Sequence, residues 1–134
     1  MPISFSANGN GTVTSANTSL MWQQGEVTPT VTWEGALTYC KNLSLGNHTD
    51  WRLPNIKELR SISDDTRSGS PLDPTYFPGA QAARYWSSTT LLGRTSKAWF
   101  VDFSSGLASY NDKASQLPVR CVRSDFYISS DASS

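Results

Sequence analysis

Few residues in this sequence could do covalent chemistry. There is one histidine, His48, in the polar stretch Gly46-Asn47-His48-Thr49, and there are two cysteines, Cys40 and Cys121. A serine or cysteine nucleophile needs a base beside it and a third group to orient that base. Any such arrangement here would have to use His48. Catalysis is therefore not expected, and His48 reads as an exposed loop residue. The dense oxygen pairs are Asp64-Asp65 and Asn111-Asp112. Such pairs are more often turns or caps than cation sites, so neither a metal nor another cofactor is expected.

Binding chemistry is better represented. Two polar stretches stand out, Leu91-Leu92-Gly93-Arg94-Thr95-Ser96-Lys97 and Tyr110-Asn111-Asp112-Lys113-Ala114-Ser115-Gln116. If they are turns of a meander separated by one strand, they lie at the same end of the sheet. Arg94 and Lys97 would then face Tyr110, Asn111, Lys113 and Gln116. Cations, amides and a phenol on one small surface suit a sulfated or acidic glycan, or a protein epitope. Ordinary solvated turns are the alternative.

These turns need a frame, and the pattern supplies one. Asn8 to Thr14 reads as a turn feeding a strand, and Leu20-Met21-Trp22-Gln23 as its hairpin partner across the turn Ser15 to Thr18. Thr32 is a helix N-cap. Behind it Trp33, Ala36, Leu37, Cys40 and Leu43 recur at helical spacing, with Gly46 as the stop after Leu45. Asn55 caps a second, short helix, with Glu58 three residues on as in a capping box and Ile56, Leu59 and Ile62 as its apolar face. Residues 63–82 read as a long ordered loop anchored by Tyr76 and Phe77. Strands follow at Tyr85–Thr89, Ala98–Phe103, Leu107–Tyr110 and Pro118–Arg123, an antiparallel meander. Helices segregated from an antiparallel sheet indicate an α+β domain. The expectation is one domain over residues 1–128, with 129–134 as a disordered tail.

Within that frame Cys40 lies on the apolar stripe of the first helix and Cys121 in the last strand. If that strand is central and the helix packs on it, the sulfurs can meet. The bridge would close a long loop and contribute about 4 kcal/mol, and it would imply an oxidising compartment. Two buried free thiols acting as small hydrophobes are the alternative. Trp22, Trp33, Trp51, Trp86 and Trp99 read as mostly core. Arg52, between Trp51 and Leu53, reads as a structural arginine using its planar fork. Asp102, between Val101 and Phe103, is expected to pair with Arg120 or Arg123.

Composition narrows the function classes. The chain has 134 residues, the size of one domain. Its 11 basic and 11 acidic residues cancel, which argues against strong nonspecific binding to nucleic acid or to an anionic membrane. No stretch approaches the roughly 20 apolar residues of a membrane span. The hydrophobic fraction of 37% is low, but five Trp, five Tyr and five Phe let a small core bury a large area. The abundance of Ser, Thr, Asn and Gly suits an exported β-rich protein. Met1-Pro2-Ile3-Ser4 is no signal peptide, so an export signal would lie outside this sequence.

Long ordered motifs also carry a family resemblance. Gly11-Thr12-Val13-Thr14, Leu20-Met21-Trp22-Gln23, Thr38-Tyr39-Cys40 and the run from Asp50 to Leu59 are the first of them. Tyr85-Trp86-Ser87-Ser88-Thr89, Ala98 to Phe103 and Val119-Arg120-Cys121-Val122-Arg123 complete the set. From about Gly9 to Arg123 the chain resembles the C-terminal domain of the Legionella collagen-like adhesin. The resemblance implies a C-type-lectin-like fold with a helix-to-last-strand disulfide. It also implies a noncatalytic recognition module of a surface or secreted bacterial protein, trimeric in the best-known member, which binds sulfated glycosaminoglycans. A glycan or a partner surface protein is the expected ligand. The alternatives are a variable protein-binding domain of a diversity-generating retroelement and a trimerisation domain of a stalk. The zero net charge and the lack of a collagen-like repeat here depart from that adhesin. Trp51-Arg52-Leu53-Pro54 also resembles a motif of sulfatase-activating enzymes, but their reactive late cysteine pair is missing. Neither the Glu-Pro-Asn or Gln-Pro-Asp loop nor the Trp-Asn-Asp triplet of calcium-dependent lectins occurs.

Overall fold

The computed structural model describes residues 4–16, 18–64, 72–78 and 83–124. In chain order it contains β1 (Phe5–Ala7), β2 (Thr12–Ser15), β3 (Leu20–Gln23), β4 (Val27–Val31), α1 (Trp33–Lys41), α2 (Ile56–Arg60), β5 (Arg84–Leu91), β6 (Arg94–Asp102), β7 (Leu107–Asp112), β8 (Leu117–Val119) and β9 (Val122–Ser124). The strands form three antiparallel sheets, ordered β1-β2-β3-β9, β4-β8 and β5-β6-β7. The class is α+β. No helix among the described residues is long and apolar enough to cross a membrane. The expected tail, 129–134, lies outside the described residues.

Local signals account for both helix starts. The Thr32 hydroxyl accepts from the Gly35 N–H at 3.2 Å and caps α1. At α2 the capping box is complete: Glu58 N–H donates to Asn55 Oδ1 at 2.8 Å and Asn55 N–H to Glu58 Oε1 at 2.9 Å. The Ile56 N–H, another orphan of that first turn, donates to Thr89 Oγ1 on β5 at 3.0 Å.

The end of α1 differs from the sequence expectation. The helix stops at Lys41 with Asn42 as its C-cap, rather than running to Leu45. The chain tightens there, with Leu43 N–H donating to Cys40 O at 3.2 Å. Leu45 and His48 then exchange backbone hydrogen bonds of 3.1 and 3.0 Å across a tight turn. Gly46 serves that turn at φ 61°, not the helix. The Leu45 carbonyl also accepts from Trp51 Nε1 at 3.2 Å, a tertiary contact that favours the turn over another helical one.

The meander has three strands, not four. The segment expected as its last strand is split into β8, which pairs with β4, and β9, which pairs with β3. The break falls at Arg120-Cys121. Gln23 holds Cys121 at both backbone groups: Cys121 N–H donates to Gln23 Oε1 and Gln23 N–H to Cys121 O, each at 2.9 Å. Strands β1 and β4 were not expected from the sequence. Strand β4 carries Pro29, a residue that demotes a strand to an edge, and it lies in a two-stranded sheet with a register irregularity.

The core divides in two on either side of β3, whose residues are all buried. Successive side chains of a strand point to opposite sides. Trp22 and Val122 join Phe5, Val13, Leu59, Ile62, Leu72, Phe77, Tyr85, Val101 and Phe103 in one cluster. Met21 and Cys121 join Ala36, Cys40, Trp51, Leu53, Trp86, Ala98 and Val119 in the other. At its centre Cys40 and Cys121 form a disulfide with a Cα–Cα distance of 5.5 Å, and both are fully buried. The free-thiol alternative is thereby excluded. Arg52 and Val122 exchange backbone hydrogen bonds of 2.8 and 2.9 Å, and Ser88 N–H donates to Pro54 O at 2.7 Å. The 51–54 segment thus ties β9 to β5.

Candidate functional site

The pairing of β6 with β7 sets the geometry of the outer sheet. Lys97 lies opposite Asp112, Ala98 opposite Asn111 and Trp99 opposite Tyr110. The Leu92-Gly93 turn, with Gly93 at φ 84°, therefore sits at the same end as residues 111–113. Lys113 N–H closes that end by donating to Ser96 O at 2.9 Å.

The cations at this end are less available than the sequence suggests. Lys97 Nζ is 2.5 Å from Asp112 Oδ1. Lys113 Nζ lies 3.9 Å from the centre of the Trp33 ring and donates to Thr90 Oγ1 at 3.0 Å. Asn111 Oδ1 accepts the Asp112 N–H at 2.8 Å. Arg94 and Gln116 are exposed. A shallow cavity of about 300 Å³ beside Lys113 is lined by Thr32, Glu34 and Ala114. Glu34 sets a carboxylate there, which opposes an anionic ligand.

Tyr110 stands on the sheet face opposite Asn111 and Lys113. Its ring meets Trp99 edge-on, with centroids 5.8 Å apart and planes at 83°. Trp99 corrects a sequence expectation, because it is not core. It is half-buried and lines a cleft of about 260 Å³ with Ile56, Lys57, Arg60 and Ala108. The physical reason is the shortness of α2. Its five residues cover Tyr85 and Val101 but leave the sheet open toward β7, where Tyr110 is 48% exposed. Neither Lys57 nor Arg60 has an acidic partner among the described residues. Sequence reasoning missed this cleft. Lys57 and Arg60, three apart beside Ile56 and Leu59, carried the only signal, and it looks the same as an ordinary solvated helix face.

Residues 11–123 match the family described as the Lcl C-terminal domain. The chain belongs to that family. A comparison with curated proteins finds no match. The matched span of this Lcl C-terminal domain holds both cysteines, both capped helices and the whole outer sheet.

The residues read as structural are placed as follows. Trp22, Trp51 and Trp86 are buried, and Trp86 Nε1 donates to Val31 O at 3.0 Å. Trp33 is only partly buried, and its Nε1 donates to Ser87 O at 2.9 Å. His48 is half-buried in the 45–48 turn. Arg52 grips Glu58 in a two-pronged pair at 2.6 and 2.7 Å. Burial alone would raise the Glu58 carboxyl, but the Arg52 fork and the Asn55 N–H outweigh it and hold the group below its ordinary value.

Asp102 corrects another expectation. It pairs with Arg84 at 3.8 Å and accepts from the Ser104 hydroxyl and N–H, which depress its carboxyl, and not with Arg120 or Arg123. The reason is register, since Arg84 lies directly opposite on β5. Arg123 instead grips Asp50 at 2.6 and 3.1 Å. Arg120 is 1% exposed. Its guanidinium lies 4.8 Å from the Phe77 ring and 5.6 Å from the Tyr85 ring, donates to the carbonyls of Gln23, Gln24 and Gly25, and sits 3.6 Å from Glu26. Burial lowers the Arg120 pKa and pushes the Tyr85 phenol up to about 12. Among the described residues no three of His, Cys, Asp and Glu converge as a metal site. Asp65, of the expected Asp64-Asp65 pair, lies outside them.

Proposed function

We propose that this Lcl C-terminal domain is a noncatalytic adhesion module of a surface or secreted bacterial protein, with a C-type-lectin-like architecture. One observation carries the reading: reactive and charged interior groups are consumed by the frame, while polar turns remain outside it. The two sulfurs form a bridge, Arg52 holds Glu58 and Arg120 holds three carbonyls. A buried disulfide also suits an oxidising compartment. The outer turns keep Arg94 and Gln116 exposed.

In this reading a sulfated or acidic glycan docks at Arg94, with Asn111 and Gln116 as polar contacts. Lys97 and Lys113 join by exchanging Asp112 and Thr90 for the ligand. Contacts of this kind are individually weak at an exposed surface, so assembly as a trimer would strengthen them through avidity.

A heparin column tests the proposal, comparing wild type with Arg94→Glu and with Arg94→Ala/Lys97→Ala/Lys113→Ala. Both variants should elute at lower salt. Because the exposed Arg94 side chain makes no hydrogen bond or ion pair among the described residues, its variant should keep the wild-type circular dichroism. Unchanged retention of both variants rules out this end as the glycan site.

A further inference from the structure

The free edge of the outer sheet lies beside the Trp99 cleft, and the two features share residues. Strand β7 pairs only with β6 among the described residues. The Lys113 N–H to Ser96 O bond marks residues 113 and 96 as a hydrogen-bonded pair of that ladder. Such pairs alternate along an antiparallel ladder, so with the observed register 111, 109 and 107 also turn their backbone groups toward β6. The N–H and C=O groups of Ala108, Tyr110 and Asp112 therefore point outward. The Asp112 N–H is taken by the Asn111 side chain. Those of Ala108 and Tyr110 have no protein acceptor among the described residues.

Side chains alternate in the same rhythm. Ala108 and Tyr110 stand on the cleft face with Trp99, while Leu107, 67% exposed, stands on the opposite face. Exposed edges are usually blunted by charge, proline or a covering element. Here the middle of β7 carries Ala, Ser and Tyr, and the nearby cations Lys57 and Arg60 lie across the cleft on α2 rather than on the strand.

We propose that β7 is a docking edge for an extended acidic polypeptide segment of a partner protein, which adds as a fourth strand and sets its carboxylates against Lys57 and Arg60. Backbone pairing at Ala108 and Tyr110 supplies the register. Alternate side chains of the added strand then fall over Ala108 and the Trp99–Tyr110 corner, where the two cations favour Asp or Glu. The intervening side chains fall beside Leu107 and Ser109, where apolar ones fit. The unpaired peptide groups favour a polypeptide over a sugar, because a glycan cannot match the two-residue rhythm of the edge. This site is separate from the Arg94 end and does not depend on it.

The test is an amide-shift titration of the labelled full chain with a blocked octapeptide alternating valine and glutamate. A valine–lysine octapeptide and an unsulfated hyaluronan oligosaccharide serve as comparisons. The glutamate peptide, at up to millimolar concentration, should move the amides of Ala108 and Tyr110 and the Trp99 indole, and the lysine peptide should not. Ala108→Pro removes one outward N–H at an edge position that tolerates proline, and it should abolish binding. Lys57→Glu/Arg60→Glu should weaken binding by about tenfold or more, and Arg94→Ala should leave it unchanged. Should Ala108→Pro fail to fold, the Lys57/Arg60 variant decides alone. Unmoved edge amides, or wild-type binding by Ala108→Pro or by Lys57→Glu/Arg60→Glu, would overturn the proposal. So would hyaluronan moving Trp99 and Tyr110 equally in wild type and Ala108→Pro, because the cleft would then be a sugar site. Failure of the heparin experiment alone would leave this inference standing.

Discussion

Replacing both cysteines by alanine is the sharpest perturbation of this frame. Cys40 and Cys121 are 81 residues apart in sequence. Bridging them removes about 15 cal/mol/K of loop entropy from the unfolded chain, or about 4.5 kcal/mol at room temperature. A domain of this size unfolds with an entropy near 280 cal/mol/K at its midpoint. Loss of the bridge alone should therefore lower Tm by about 16 °C. Differential scanning calorimetry of wild type, Cys40→Ala, Cys121→Ala and the double variant reads the effect. Either single change already breaks the bond, so the double variant should fall little further than each single. Coupling of this sort is expected for groups that act as one unit. Fully additive single effects, or a fall of only a few degrees, would refute the reasoning. They would mean that the sulfurs act as separately packed atoms rather than as a covalent tie between α1 and the break between β8 and β9. Reduction in the folded state should also be slow, because both sulfurs are fully buried.

Three further outcomes follow from the same structure. Glu58 has a depressed folded-state pKa, so its contribution is complete above its ordinary value of 4.5 and is lost as pH falls through the folded value. Glu58→Gln should therefore destabilise by about 1 kcal/mol at neutral pH and flatten the acid limb of a Tm-versus-pH curve; an unchanged acid limb would refute the Arg52 pairing as its source. Arg120→Met should destabilise by about 3 kcal/mol or more in urea unfolding, because it removes the cation beside Glu26 and the donor to three backbone carbonyls; a neutral result would show that the buried charge is replaceable by apolar packing. Gly46→Ala forces a side chain into φ 61° with its Cβ 2.9 Å from Thr12 Cγ2. It should cost more than Gly93→Ala, which meets only the backbone penalty of about 1–2 kcal/mol, and equal losses in thermal melts would show that Thr12 simply moves aside.

The features legible in the amino-acid order are those decided within a few residues. Thr32, and Asn55 with Glu58, announce helix starts because a cap is satisfied by N–H groups two or three positions away. The β2–β3 hairpin, the three strands of the outer sheet and the apolar stripe carrying Cys40 are periodic patterns of the same short range. Arg52 was expected to be structural from its place between Trp51 and Leu53, and its fork holds Glu58, a partner that the order alone did not name. The disulfide was readable because an apolar helix stripe and an apolar strand each offered one sulfur.

Long-range packing settled the remainder. The split of the last strand depends on Gln23, nearly a hundred residues earlier, gripping Cys121. The pairing of Asp102 with Arg84 depends on cross-strand register, which carries no local mark. Trp99 looks like core in any composition-based reading. Its exposure comes from a five-residue helix too short to cover the sheet out to β7. Lys97 and Lys113 look like free cations until Asp112, Trp33 and Thr90 are brought against them. Caps and periodicity are local energies that the chain order encodes directly. Ion-pair partners, burial and open edges are properties of which surfaces meet, and they exist only once the chain has folded.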